Sequence, residues 1–163
     1  MRRITVAAPV LILAALSRSP PRLMAQVTLS SSQRSAIADS VRRITDSVFA
    51  AGRRRDLDRM FSFYGASTTL LHDGKPENWR EHQSGARAFY KTLRAVDVHP
   101  LDHQIDVLSP TVAVWRGQYA YSFTDTAGHV TAGMAANTWV LVREADGWRI
   151  VHVHISDPLP AAK

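Results

Sequence analysis

Two histidines two positions apart, His152 and His154, sit near the end of the last β-rich run of the chain, Trp148-Arg149-Ile150-Val151-His152-Val153-His154-Ile155-Ser156. Strand side chains alternate between faces, so both rings fall on one side, with Cβ atoms roughly 7 Å apart at a rise of about 3.4 Å per residue. A pair so placed can chelate a metal only if a further protein ligand joins it. His72, His82, His99, His103 and His129 show no paired spacing that supplies one. No metal and no cofactor is therefore expected. The two rings read either as hydrogen-bonded framework groups at the end of a sheet or as cavity-lining groups able to act as a general base.

Two further polar residues stand inside apolar strand-like runs. Asp106 is the acid set within a strand, whereas Asp125, Glu144, Asp146 and Asp157 fall at turns or ends. A carboxylate in an apolar cavity can be tuned to work as a base, which makes Asp106 a catalytic candidate beside His152 and His154. Arg116 lies among Val112, Ala113, Val114, Trp115, Gly117 and Tyr119. Burying it costs free energy unless a partner or a ligand satisfies the guanidinium. Solvent exposure, an internal ion pair and an anion-binding pocket are the three readings. Tyr64, Trp115, Tyr119 and Asn137 join Arg116 and His154 as candidate ligand-binding residues, since pockets pair apolar walls with a few polar groups. At these spacings the aromatic residues also suit a core.

The elements that position these groups can be read in order. Ser30 and Gln33 form a capping-box pattern ahead of a helix whose stripe is Ile37, Val41, Ile44 and Val48, ending near Gly52, with Arg53-Arg54-Arg55 as a solvated end beyond it. Asp56 caps a short second helix. Ser67 to His72 reads as a strand closed by Asp73-Gly74, Lys75 to Gln83 as a polar loop, and Ser84-Gly85 as the opening of a third helix carrying Phe89, Tyr90 and Leu93. Four strands follow over 103–108, 111–124, 130–143 and 148–156, with short turns that favour antiparallel neighbours. The last two flank Asp146-Gly147 as a hairpin. The class is α+β, with three N-terminal helices packed on a curved, mainly antiparallel sheet.

Length allows one domain. Arg2-Arg3, the apolar run Ile4 to Leu16 and a polar stretch ending at Ala25 form a signal-peptide pattern. The apolar run is too short for a span of about 20 residues. The expected organisation is a leader over 1–25, a linker over 26–33, a domain over 34–157 and a tail over 158–163. The product is exported, periplasmic or secreted, without a stable membrane anchor. The chain has 20 basic and 14 acidic residues; the leader holds four of the arginines and no acid, so 16 basic residues remain against 14. That near balance argues against nucleic acid as a partner. With no cysteine, thiol chemistry and disulfides are excluded.

The element order, the Gly-led segment Ser84-Gly85-Ala86-Arg87-Ala88-Phe89 and the closing Asp146-Gly147-Trp148 hairpin resemble the nuclear transport factor 2-like (SnoaL-like) superfamily over residues 34–156. Trp115-Arg116-Gly117-Gln118-Tyr119 and the terminal Trp-x-x-Val-His-x-His-x-Ser are most similar to its calcium/calmodulin-dependent protein kinase II association-domain branch. Asn137-Thr138-Trp139 departs from that branch's charged run. The resemblance implies a cone-shaped fold with a cavity between helices and sheet, often dimeric through the outer sheet face. Two functions follow as expectations. One is a homodimeric module that binds a small organic ligand, an anion among the candidates, through Arg116, with His154 near the cavity mouth. The other is an isomerase, dehydratase or hydrolase using His152, His154 or Asp106.

Overall fold

A computed structural model describes residues 28–157; the leader and tail expected at 1–25 and 158–163 lie outside the described residues. Helix α1 (Ser31–Arg53) starts on the expected capping box: the Gln33 N–H donates to Ser30 Oγ (3.2 Å) and the Ser30 N–H donates to Gln33 Oε1 (2.8 Å). Its buried stripe of Val41, Thr45, Val48 and Phe49 faces the sheet. The arginine tract is not simply solvated. Arg53 donates to the Val98 carbonyl (2.7 Å) and Arg55 to that of Leu93, tying the helix end to a neighbouring strand.

Helix α2 (Leu57–Phe61) is capped by Asp56, which accepts the Arg59 N–H (3.0 Å). Strands β1 (Tyr64–His72) and β2 (Lys75–Glu77) form a hairpin. Its two turn residues, Asp73 and Gly74, both have positive φ (49° and 75°), the conformation of a type I′ turn.

The loop expected over 75–83 is a correction. Its first residues are β2, and the remainder opens helix α3 (Trp79–Lys91). Asn78 caps that helix by accepting the Arg80 and Glu81 N–H groups at 3.0 and 3.2 Å. Ser84-Gly85 lies inside the helix instead of opening it, and Leu93 begins a strand instead of extending the helical face.

Strands β3 (Leu93–Ser109), β4 (Val112–Asp125), β5 (Val130–Glu144) and β6 (Gly147–Ser156) complete a six-stranded sheet of order β2-β1-β6-β5-β4-β3. All neighbours are antiparallel except β1 and β6, which are parallel. The sheet is mixed and the fold is α+β. Among the described residues no helix is long and apolar enough to cross a membrane.

Alternation along β4 separates two faces. Trp115 (1% exposed) points inward against Phe49 and Trp139, with ring centroids 5.9 and 4.9 Å away. Leu141 and Ile150 are wholly buried beside this group. Full burial of side chains of this size stabilises by about 1.5–3 kcal/mol each.

A β-bulge in β6 divides its pattern. Val140 pairs with His152 but Leu141 pairs with Ile150, so Val151 is an extra residue and the alternation changes phase there. Trp148 and Ile150 point inward, whereas His152, His154 and Ser156 lie on the outer face. A period of two read from Trp148 to Ser156 puts all five on one face; the bulge separates the first two from the last three.

A second irregularity, in β3 between Pro100 and His103, presses that strand onto β4. A Cβ on Gly117 would stand 2.5 Å from the Asp102 carbonyl oxygen and 2.6 Å from His103 Cβ. Glycine is required there by close approach.

Candidate functional site

A cavity of about 850 Å3, open to solvent, lies between the inner sheet face and helices α2 and α3. Strand β4 gives it one wall. Tyr119, Tyr121 and Phe123 occupy alternate positions, with centroids 6.3 and 5.1 Å apart, and Phe89 of α3 meets Phe123 edge-on at 5.3 Å. Tyr90, Met60 and Ile155 complete the apolar lining. Gly133, opposite Tyr121, leaves room for the phenol: a Cβ there would fall 2.6 Å from its oxygen.

The polar lining gathers where β1, β2 and α3 meet. Glu77 bridges two imidazoles, its Oε1 lying 3.0 Å from His72 Nδ1 and its Oε2 3.0 Å from His82 Nδ1. His72 Nε2 lies 3.4 Å from Asp157 Oδ2. Asn78 and Glu81 also line the cavity. The His82 ring is stacked on Trp79 (5.7 Å, 13°), which packs on Tyr64 at 4.9 Å. Each position follows from local structure. The tight hairpin places Glu77 diagonally across from His72, and the first turns of α3 carry Glu81 and His82 to the same side.

Burial pushes the Tyr64 phenol far above its ordinary range, with neighbouring Tyr119 and Tyr90 adding to the shift. Burial raises Tyr119 as far, with the Asp157 charge next in importance, and burial also raises Tyr90. All three hydroxyls stay protonated at neutral pH. This arrangement can hold an apolar body against aromatic faces and exchange hydrogen bonds or a proton at the His72 end. His72, Asp73 and Asp157 each bring one potential ligand atom to within 4.8 Å of the others, a mixed nitrogen and oxygen set whose chemistry suits a divalent transition ion.

The residues singled out from the sequence fall elsewhere, with one exception. Tyr119 lines the cavity. Trp115 is core and Tyr64 packs against Phe61 and Trp79. Asn137 is 7% exposed, its Oδ1 unpartnered, and it borders a shallow depression with Arg116 and Gly117 instead of the main cavity.

The expectation that Arg116 points into the cavity is corrected. Even-numbered positions of β4 face outward, and Arg116 lies there half exposed. Its Nε donates to Asp106 Oδ2 (2.9 Å) and its Nη2 to Gln104 Oε1 (3.0 Å), while Gln104 Nε2 donates to Asp106 Oδ1 (3.0 Å). That closed network occupies Asp106 too. His154 lies in the same outer row, across Thr138 from Arg116. His152 Nδ1 is 2.7 Å from Thr69 Oγ1 and His154 Nε2 is 3.4 Å from Ser156 Oγ. Asp106, His152 and His154 therefore share no cavity with Tyr119.

His72, Glu77, Glu81, His82 and Asp157 were not recognised as a site from the sequence. The usable signals were Asp73-Gly74, which implies a two-residue hairpin that pairs position 72 with 75 and brings 77 diagonally across from 72, and Asn78 followed three residues later by Glu81, a helix start.

Comparison with known proteins supports the same architecture. The SnoaL-like domain family matches residues 41–161. No curated protein matches the sequence. Among solved structures, a proposed calcium/calmodulin-dependent protein kinase II association domain from Xanthomonas campestris superposes with a TM-score of 0.63 at 21% identity, over 75% of this chain and 87% of that one. The association domain of the Caenorhabditis elegans kinase gives 0.63 at 19%, over 76% and 97%. A proposed dehydratase of the NTF2-like family from Streptomyces avermitilis gives 0.66 at 16%, over 77% and 99%. These identities speak for the fold alone. With a family match over most of its length and an NTF2-like α+β fold, the chain belongs to the SnoaL-like domain family.

Proposed function

We propose that the protein is a binding module for a small organic molecule, seated in the cavity between α3 and β4. The observation that carries this reading is the division of the lining: an aromatic wall on β4 and α3, and hydrogen-bonding groups at the β1–β2 side. Its volume lies within the roughly 300–1,000 Å3 of ligand pockets. Gly85 offers a direct test, since it lines the cavity and a Cβ there meets nothing within 4 Å. A Gly85→Phe protein should stay folded and lose the thermal shift that wild type shows with hits from a screen of small aromatic compounds. Equal shifts in both proteins would place the binding elsewhere.

A second reading, catalysis, is favoured by one observation. His72 has Glu77 on one ring nitrogen and Asp157 near the other, inside the same cavity. A histidine held in this way can remove a proton next to a carbonyl. The resemblance to an NTF2-like dehydratase agrees in kind. Solvent deuterium should then enter a cyclic ketone at the α-carbon in the presence of wild type but not of His72→Ala. No exchange by wild type would leave the binding reading alone.

The protein is further proposed to act as a homodimer through the outer sheet face. Val130 and Met134 are 63% and 51% exposed on β5, and Val140 and Val114 lie further along the same face beyond the Arg116–Thr138–His154 row, apolar positions that a second sheet can cover. Association domains among the structural neighbours agree with this. Light scattering should give twice the chain mass for wild type and the monomer mass for Met134→Lys. Export is proposed from residues 1–25, and mass spectrometry of the exported fraction should find the mature N-terminus beyond Met1.

A further inference from the structure

We propose that the cavity selects cations: its occupant carries an amine or quaternary ammonium group on a flat apolar body. This rests on the cavity being the binding site, and concerns the charge it admits. Among the described residues, the lining contains three carboxylates, Glu77, Glu81 and Asp157, and no lysine or arginine. The two histidines beside them, His72 and His82, are the other titratable groups at that end.

Of the basic side chains around the cavity, Lys75 stands opposite His72 at the exposed hairpin end and is not in the lining, and Arg80 lines a separate depression with Thr69 and His152. Arg87, on α3, pairs with Asp58 at 2.7 Å and lies over the Phe61 ring. Arg116, the guanidinium that the sequence suggested for an anion, is on the opposite sheet face, held by Asp106 and Gln104. An anion entering the cavity would meet three like charges and no lysine or arginine in the lining. A cation would meet the reverse, in a partly desolvated space where charge interactions are strengthened.

The aromatic wall acts in the same direction. Tyr119, Tyr121, Phe123 and Phe89 offer ring faces and edges, and the face of an aromatic ring attracts a cation within about 6 Å of its centroid. The negative field extends to that wall, because the Asp157 charge is among the causes that hold the Tyr119 phenol protonated.

Three probes of one shape test this: 2-naphthylmethylammonium, 2-naphthalenemethanol and 2-naphthoate, titrated calorimetrically into the purified protein at pH 7.5 with a chelator present. The ammonium should bind about tenfold tighter than the alcohol, and the carboxylate about tenfold weaker. Glu81→Gln removes the charge of an exposed side chain that makes no hydrogen bond or ion pair among the described residues, so it should fold normally and narrow the ammonium preference about threefold. The triple variant Glu77→Gln, Glu81→Gln, Asp157→Asn should abolish the preference. Gly85→Phe should block all three probes. Alcohol binding without an ammonium preference would overturn charge selection and leave the cavity reading intact. No binding of any probe to wild type would overturn both, and an ammonium preference that survives Gly85→Phe would place the cation on the surface and overturn the proposal.

Discussion

The carboxylate of Glu77 lies 3.0 Å from Nδ1 of His72, and its second oxygen lies as close to Nδ1 of His82. An ionised carboxylate only accepts hydrogen bonds, so each neutral ring must carry its proton on Nδ1. That leaves Nε2 of His72 as a lone pair turned toward Asp157. Nitrogen-15 correlation spectra at pH 8 should show the Nδ1–H tautomer for both residues. In a Glu77→Ala protein both should revert toward a mixture, and an unchanged pattern would mean the bridge does not form in solution.

Gly117 is predicted to be intolerant of any side chain. A methyl there would overlap the Asp102 carbonyl and His103, which belong to the irregular stretch of β3 and cannot move without disturbing both strands. Gly117→Ala should cost about 1–3 kcal/mol, the usual penalty of overpacking. Urea unfolding monitored by tryptophan fluorescence would measure it.

Gly85 should respond in the opposite sense. It sits in the interior of α3 in open space, with no φ requirement for glycine. Gly85→Ala should raise stability by about 0.5–1 kcal/mol through helix propensity alone. The same urea experiment reads it as a higher midpoint with an unchanged slope.

Asp125 should titrate below its ordinary value of 3.8. The leading cause is the hydrogen bond from the His129 side chain to Oδ2 (3.0 Å), followed by the His129 backbone N–H on Oδ1 (2.8 Å). A carboxyl depressed on folding favours the native state above its unfolded pKa, and the contribution disappears as pH falls through the folded value. Carboxyl carbon-13 titration should place the wild-type midpoint below 3.8 and move it upward in His129→Ala.

Much of the architecture was legible in the residues. The Ser30/Gln33 box, the Asp56 cap and the last three strands are local features, and each appears where its pattern predicts it, give or take element ends, whereas β3 begins ten residues before the expected 103. The candidate site was not legible, for two physical reasons. First, one residue, Val151, shifts the phase of β6, and a period of two read straight through it assigns His152 and His154 to the wrong partners. Second, the cavity's polar groups come from β1, β2, α3 and the end of β6, and no sequence spacing announces that these segments converge. Arg116 does have the partner that its apolar surroundings demand, but that partner is Asp106, ten positions back on the neighbouring strand.

The parallel pairing of β1 with β6 bears on how the molecule comes into being. His72 and Asp157 are 85 positions apart, and the strand that carries one to the other is the last of the six in sequence order and so is synthesised after the other five. Until then β1 and its hairpin have no neighbour on one edge, and the cavity lacks a side. Contacts of such long range are formed late and slowly. A chain ended before β6 would leave β1 and β5 with open edges and would lack Ile155 and Asp157 from the cavity wall.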